Sequence, residues 1–382
     1  MGDTMEAYEE LLRWARDRGI ELHGVEPRAL PGRGMGIVAT KPLKENERIL
    51  FVPASTHRTI DTVRPEVKNS LPKGTKVHAM LAAELALDTP TSPHAIWNAV
   101  VPSRDDITAH LPLAWPDTGL HAYLPKPALA LLRKQQTKLA RDYAATQQTA
   151  LRTIPRPHYL YTWLLVNTRT FYHAPAHAAA TLPRDDHMVL QPVADLFNHA
   201  DAGSAAAGFA AAGFSITASR AHAAGDEVYI CYGRHGNDFL LVEYGFVLAD
   251  NQWDEVGLDD AILPELSRAQ KEVLDEEGFL GKYVLDRGTV CYRTQLAVRL
   301  LCVPVEEWRR FVVEGEDGGE EVQQEVDGLL VRILEKYRGT VEGTIQEIEG
   351  LDIGQPCQRE VLALRWRQIR GLIDQTVERL KS

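Results

Sequence analysis

Gly225–Phe246 reads GDEVYICYGRHGNDFLLVEYGF, with Tyr229, Tyr232, Tyr244 and Phe246 gathered around two Tyr-Gly pairs and Asn237 between the pairs. A strand rich in tyrosine is ordinarily just a good strand, because aromatic rings pack well on a pleated surface. Two Tyr-Gly pairs bracketing an asparagine are harder to dismiss as packing. Upstream, Val193–Gly203 reads VADLFNHADAG and sets Asp195, Asn198 and His199 beside Leu196 and Phe197. Polar groups among apolar neighbours need partners. Two readings stand side by side: a turn capped by Asn198 with a solvated His199, or a ligand site. A metal centre would want further ligands at matching spacing, and none follow.

A third cluster lies near the start, in PGRGMGIVAT, with Gly32, Gly34 and Gly36. The dinucleotide-binding fingerprint fails here, because the third glycine comes one residue early and GIVATKPL reads as strand and turn instead of opening a helix. Such a turn either supplies positive φ cheaply or lets backbone groups approach a ligand closely.

Around these clusters the texture alternates. Glu6–Arg18 places Tyr8, Leu11, Leu12 and Ala15 at helical spacing, with Gly19 as a stop. Leu22–Ser55 reads as short strands, GIVAT and RILFV, between turn-rich segments. From Val77 to about Arg184 the chain turns helical, as in Val77–Leu87, Pro127–Thr149 and Tyr159–Phe171. Strand texture returns over His187–Leu248, and the Ala-rich Ala205–Ala212 is bland. After Leu258 the pattern is helical. Val322, Val326, Leu330, Ile333 and Tyr337 form one apolar stripe, and Leu362, Trp366, Ile369, Ile373, Val377 and Leu380 another. No repeat of solenoid period is visible.

The 382 residues suffice for a substantial core and two or three domains. A net charge of −11 argues against phosphate neutralisation on nucleic acid and suits a basic partner. The four cysteines, Cys231, Cys291, Cys302 and Cys357, stand far apart without zinc-ligand spacing. Met1–Asp17 lacks a signal pattern, and no apolar run approaches the roughly 20 residues that cross a bilayer. The expectation is an intracellular chain with reduced thiols and no membrane partner.

The three clusters, in this order and with a helical insert between the first and second, resemble the SET-domain methyltransferases. The likeness is closer to the branch containing Rubisco large-subunit lysine methyltransferase and actin histidine methyltransferase. Its motifs stand here as Gly34-Met35-Gly36, Asp195-Leu196-Phe197-Asn198-His199, Tyr232 to Asn237 in YGRHGN, and Tyr244-Gly245-Phe246. The helical tail also looks like the substrate-binding domain of that branch. No C-x-C-x-C cluster is present, which separates the chain from relatives that close their site with zinc.

What the resemblance implies is an α+β fold. A β-rich SET core with knot-like threading (1–76 and 185–257) is split by a helical insert (77–184) and followed by an all-helical substrate-binding domain (258–382). The cofactor implied is S-adenosylmethionine. Gly34, Met35 and Gly36 would offer backbone groups to its amino-acid part, Asn198 would bind its ammonium or carboxylate, and His199 would meet the adenine region. Arg169 and Asp195 resemble further cofactor-side residues. Tyr232 would be the catalytic tyrosine, also touching the cofactor, and Tyr244 and Phe246 would line the substrate channel. The implied reaction is methylation of a protein lysine. A histidine acceptor, a catalytically silent binding module and small-molecule chemistry are the competing readings. A monomer in the cytoplasm, with the nucleus as a further compartment, completes the expectation. The acidic residues Glu314, Glu316, Asp317, Glu320, Glu321, Glu325 and Asp327 are either a solvated surface or a docking face for a basic target.

Overall fold

The computed structural model describes residues 2–30, 34–173, 183, 186–315 and 319–382. Gly32 of the first glycine turn, and Glu316 and Asp317 of the acidic stretch, lie outside the described residues. The chain divides into two compact units, one of residues 1–114 with 133–234 and one of residues 115–132 with 235–382.

The first unit holds the strands β1 (Glu21–Leu22), β2 (Val25–Leu30), β3 (Gly34–Ala39), β4 (Arg48–Pro53), β5 (Thr170–Tyr172), β6 (Met188–Leu190), β7 (Ala206–Ala210), β8 (Gly213–Thr217) and β9 (Glu227–Val228). They form antiparallel sheets in the orders β1-β4-β8-β7, β2-β3-β9 and β5-β6. Strand β4 buries Ile49, Leu50 and Val52, and its partner β8 buries Phe214 and Ile216. Gly213 begins β8 where a Cβ would lie 2.1 Å from the Val52 carbonyl oxygen, so only glycine allows that pairing. The Ala-rich stretch supplies β7, the outer strand of this sheet, paired with β8 through a tight hairpin. The helix Gly2–Asp17 buries Leu11, Trp14 and Ala15. The helical insert packs Val77–Ala86 against Arg156–Arg169, burying Leu81, Tyr159, Trp163 and Val166 in one core with Ile37 and Phe197.

Between Val193 and Tyr232 the backbone departs from simple pairing. Val193 has φ 67°, a conformation that costs a β-branched residue energy and that clusters at functional sites. A short 3-10 turn, Ala194–Leu196, follows it. Ile230 N–H then donates to the Asn198 carbonyl (2.9 Å) and Ala200 N–H to the Ile230 carbonyl (3.1 Å), while Ala205 N–H donates to the Tyr229 carbonyl (2.7 Å).

The strand texture read over His187–Leu248 is corrected within its last third. Asn237–Tyr244 is a helix, with Asp238 in its first turn and Gly245 at φ 83° closing it, where Gly245 N–H meets the Leu240 and Leu241 carbonyls. The run FLLVEY has no alternation to hold it as a strand, because Leu240, Leu241 and Val242 are all buried.

In the second unit β10 (Glu255–Gly257) pairs with β11 (Val284–Asp286), a short strand among the helices that follow Leu258. The two long helices, Gly319–Glu349 and Pro356–Lys381, pack on each other. Val326, Leu330 and Ile333 of one stripe and Leu362, Trp366, Ile369, Ile373 and Val377 of the other are buried, as amphipathic spacing predicts. Arg365 is fully buried and bonds Asp238 and Asp254, each at 2.7 Å.

Candidate active site

The site is built on β3 and the segment after β6. In the register of β3 with β9, Val38 faces Glu227, and Gly36 shares the Val38 face. A Cβ at Gly36 would come within 2.6 Å of Glu227 Oε1 and 2.9 Å of Asn198 Nδ2. The bare backbone there lets the Asn198 carboxamide reach across the sheet. Its Nδ2 donates to the Met35 carbonyl (3.0 Å) and to Glu227 Oε1 (2.8 Å). Tyr229 Oη donates to the other carboxylate oxygen, Oε2, at 2.7 Å. Gly34 opens β3 at φ 69°, where a Cβ would meet no atom of the described residues within 4 Å.

Tyr232 lies beside the same segment. Its Oη donates to the Phe197 carbonyl at 2.6 Å, and its N–H donates to His199 Nδ1 at 3.1 Å. An Nδ1 that accepts from a backbone N–H belongs to a neutral imidazole protonated at Nε2. The His199 and Tyr232 rings stack at 5.1 Å and 25°.

Asp195 is buried. Its Oδ2 accepts from Trp97 Nε1 (3.1 Å) and Arg169 Nη1 (3.0 Å), and Arg169 Nη1 also donates to the Asp195 carbonyl (2.6 Å). Burial pushes the Asp195 carboxyl above the usual carboxylate range, while Arg169 and Trp97 pull the other way. Asp195 Oδ1 and Arg169 Nε are buried without a hydrogen-bond partner, which marks this spot for a ligand or ordered water.

Gly36, Met35 and Asn198 therefore meet directly, as do His199 and Tyr232, and as do Arg169 and Asp195. Tyr244 and Phe246 belong to the second unit, where Tyr244 ends the helix Asn237–Tyr244 and its ring lies 6.3 Å from that of Phe246. Asn237 of the third motif is a buried structural hub: its Nδ2 donates to the Leu248 carbonyl (3.0 Å) and Gln368 Oε1 (2.9 Å), and its Oδ1 accepts from Leu248 N–H (3.1 Å).

Sequence reasoning missed Glu227, Trp97 and the Phe197 carbonyl, and gave Tyr229, though singled out, no role. The period-two spacing of Glu227 and Tyr229 was a usable signal for a shared strand face. Trp97 meets Asp195 across 98 positions with no local pattern to announce it. Among the described residues, no group of three or more His, Cys, Asp or Glu is placed to hold a metal ion, and no helix is long and apolar enough to cross a membrane.

No family model matches the chain. Over 361 residues it is 24% identical to a ribosomal lysine N-methyltransferase of Schizosaccharomyces pombe, covering 91% of each. It is 27% identical to SET domain-containing protein 4 of Mus musculus, over 95% of this chain and 89% of that one. An actin-histidine N-methyltransferase of Mus musculus matches at 24% identity over 67% of this chain and 45% of its own length. Among solved structures, Rubisco LSMT bound to sinefungin and monomethyllysine superposes with a TM-score of 0.64 at 16% identity, over 98% of this chain and 93% of that one. Rubisco LSMT bound to AdoMet superposes at 0.62, with 16% identity and the same coverage. The chain is thus similar, over nearly its whole length, to a ribosomal lysine N-methyltransferase and to SET domain-containing protein 4 in sequence, and to the Rubisco LSMT SET-domain structures in fold.

Proposed function

We propose that the chain is an S-adenosylmethionine-dependent protein N-methyltransferase whose acceptor is a lysine side chain. The observation that carries this reading is the Tyr232 hydroxyl, whose proton is committed to the Phe197 carbonyl at 2.6 Å. A phenol that donates in this way turns its oxygen into an acceptor, which is what orienting an amine N–H requires. The cofactor fits the residues present. The Met35 carbonyl, the Asn198 carboxamide and the Glu227 carboxylate crowd against a side-chain-free strand, a set of oxygens suited to a cationic ammonium.

When bound, S-adenosylmethionine supplies a methyl group on a sulfonium, transferred by in-line displacement. The protein's task is then positioning. A lysine amine, with an ordinary pKa of about 10.4, must present its neutral lone pair, which exclusion of water favours. Tyr232 orients that amine, and Phe197 holds Tyr232. Asn198, Met35, Gly34 and Gly36 hold the cofactor's amino-acid end, and His199, fixed by its bond to Tyr232 N–H, takes the adenine side. Arg169 braces the same segment through the Asp195 side chain and carbonyl. The resemblance gives Tyr244 and Phe246 to the substrate, where aromatic faces accommodate a cationic product.

In this reading the SET core of residues 1–76 and 185–257 carries the chemistry, with knot-like threading of the segment that bears the second and third motifs. Residues 77–184 form the insert, and residues 258–382 present a basic protein substrate. The chain works as a monomer in the cytoplasm, with the nucleus also open to it, and binds neither nucleic acid nor membrane. The net charge of −11 supports the basic substrate. The likeness to actin-histidine N-methyltransferases supports a histidine acceptor as the second reading. Calorimetry with S-adenosylhomocysteine tests the cofactor: wild type binds and Asn198→Ala loses most of the affinity. Absence of heat with wild type would defeat the reading. Hydrolysis of a labelled protein product then separates methyl-lysine from methyl-histidine.

A further inference from the structure

We infer that Glu227, steadied by Tyr229, is a positioning residue that sets the Asn198 carboxamide to receive the ammonium end of S-adenosylmethionine. The inference rests on the proposed cofactor.

The carboxamide has two chemically different ends, a donor NH2 and an acceptor oxygen. Its position against β3 is decided by what surrounds it. The Met35 carbonyl, 3.0 Å away, can only accept, and so can the Glu227 carboxylate, 2.8 Å away. The NH2 must therefore face both of them. Because the amide is planar, Oδ1 then points away from both, as an acceptor for an N–H from outside the protein. Turning the amide over would set Oδ1 against two oxygens and exchange two hydrogen bonds for two repulsive contacts.

Met35 alone would hold the amide by one bond to a neutral carbonyl. Glu227 adds a second bond and a charge, and bonds to an ionised acceptor are the stronger kind. The carboxylate is itself held in place. Its backbone is fixed by the pairing of Glu227 with Val38, and Tyr229 Oη occupies its second oxygen at 2.7 Å. Gly36 completes the device, since a Cβ there would lie 2.6 Å from Glu227 Oε1 and 2.9 Å from Asn198 Nδ2.

Two ligands test this by calorimetry on the full chain: S-adenosylhomocysteine, and 5′-methylthioadenosine, which keeps the nucleoside and thioether but lacks the amino-acid end. Glu227→Ala should weaken S-adenosylhomocysteine about 10-fold or more and leave 5′-methylthioadenosine unchanged. Glu227→Gln keeps an acceptor for Asn198 and can donate to the Tyr229 oxygen, so it should stay within about 3-fold of wild type. Glu227→Ala binding S-adenosylhomocysteine as wild type does would overturn the inference. So would equal losses for both ligands, the mark of a merely structural residue. Wild type binding neither ligand would overturn the cofactor assignment together with it.

Discussion

Replacing Tyr232 by phenylalanine removes one oxygen and leaves the ring stacked on His199, 5.1 Å away. Fold and cofactor affinity should survive, because neither depends on the hydroxyl beyond its bond to the Phe197 carbonyl. The single-turnover rate of methyl transfer should fall by about 10- to 100-fold, since an orienting bond counts most in the transition state. A variant that binds cofactor normally and transfers methyl at the wild-type rate would move the role to another group, Tyr244 first. Gly36→Ala makes the complementary prediction. The new methyl must displace Glu227 and Asn198 side-chain atoms, so cofactor affinity should drop more than thermal stability. At this scale the sequence was legible where residues cluster in motifs: the resemblance grouped Asn198, His199 and Tyr232, and Tyr232 N–H donates to the Nδ1 of His199, the residue after Asn198. It was illegible where a bond joins distant positions. Trp97 to Asp195 is one such bond, and the Phe197 carbonyl, a backbone group, has no letter of its own.

Two elements carry predictions about stability. In the helix Val77–Ala86, His78 stacks on Trp163 at 4.1 Å and hydrogen-bonds its carbonyl at 2.9 Å. Burial pulls its imidazole down to about 4, and burial, with the Arg58 charge, pulls His94 down to about 4 as well. A histidine depressed in the fold contributes stability that is complete above its unfolded value, near 6.5, and is lost as pH falls toward 4, because only the unfolded chain takes up the proton. Thermal melting should therefore weaken from pH 7 to pH 5, and His78→Gln should flatten that slope. An unchanged slope would show that His78 is not held neutral. In the helix Pro356–Lys381, Arg365→Ala leaves Asp238 and Asp254 buried and unpaired, at a cost of about 3–5 kcal/mol that urea denaturation should register. The apolar stripes of the long helices were legible because periodicity of 3.6 survives any context. Arg365 was not, since a charged residue inside such a stripe reads as its polar flank until its partners are seen. Asn237–Tyr244 was misread for a related reason: three consecutive buried apolar residues, Leu240, Leu241 and Val242, give no period with which to tell helix from strand.

Across the whole molecule the dominant property is charge. The acidic residues Glu314, Glu320, Glu321 and Glu325 are exposed, and the net charge is −11. If they dock a basic protein, changing them to glutamine should raise KM severalfold at low salt and have less effect at high salt, where screening shortens the reach of each charge. Equal kinetics at both salt levels would leave them as a solvated surface. The order of strands, helices, strands and helices was visible in apolar spacing and turn residues, whereas the pairing of β3 with β9, which brings Gly36 to Glu227, joins segments nearly 200 positions apart and needed the fold. The most direct test incubates the purified chain and its Asn198→Ala variant with methyl-labelled S-adenosylmethionine and an undermethylated cell extract. Mass spectrometry then locates the label. The account predicts label on a lysine side chain of a protein with wild type and none with the variant; a wild-type chain that leaves every protein unlabelled, or a variant that labels as well as wild type, would contradict it.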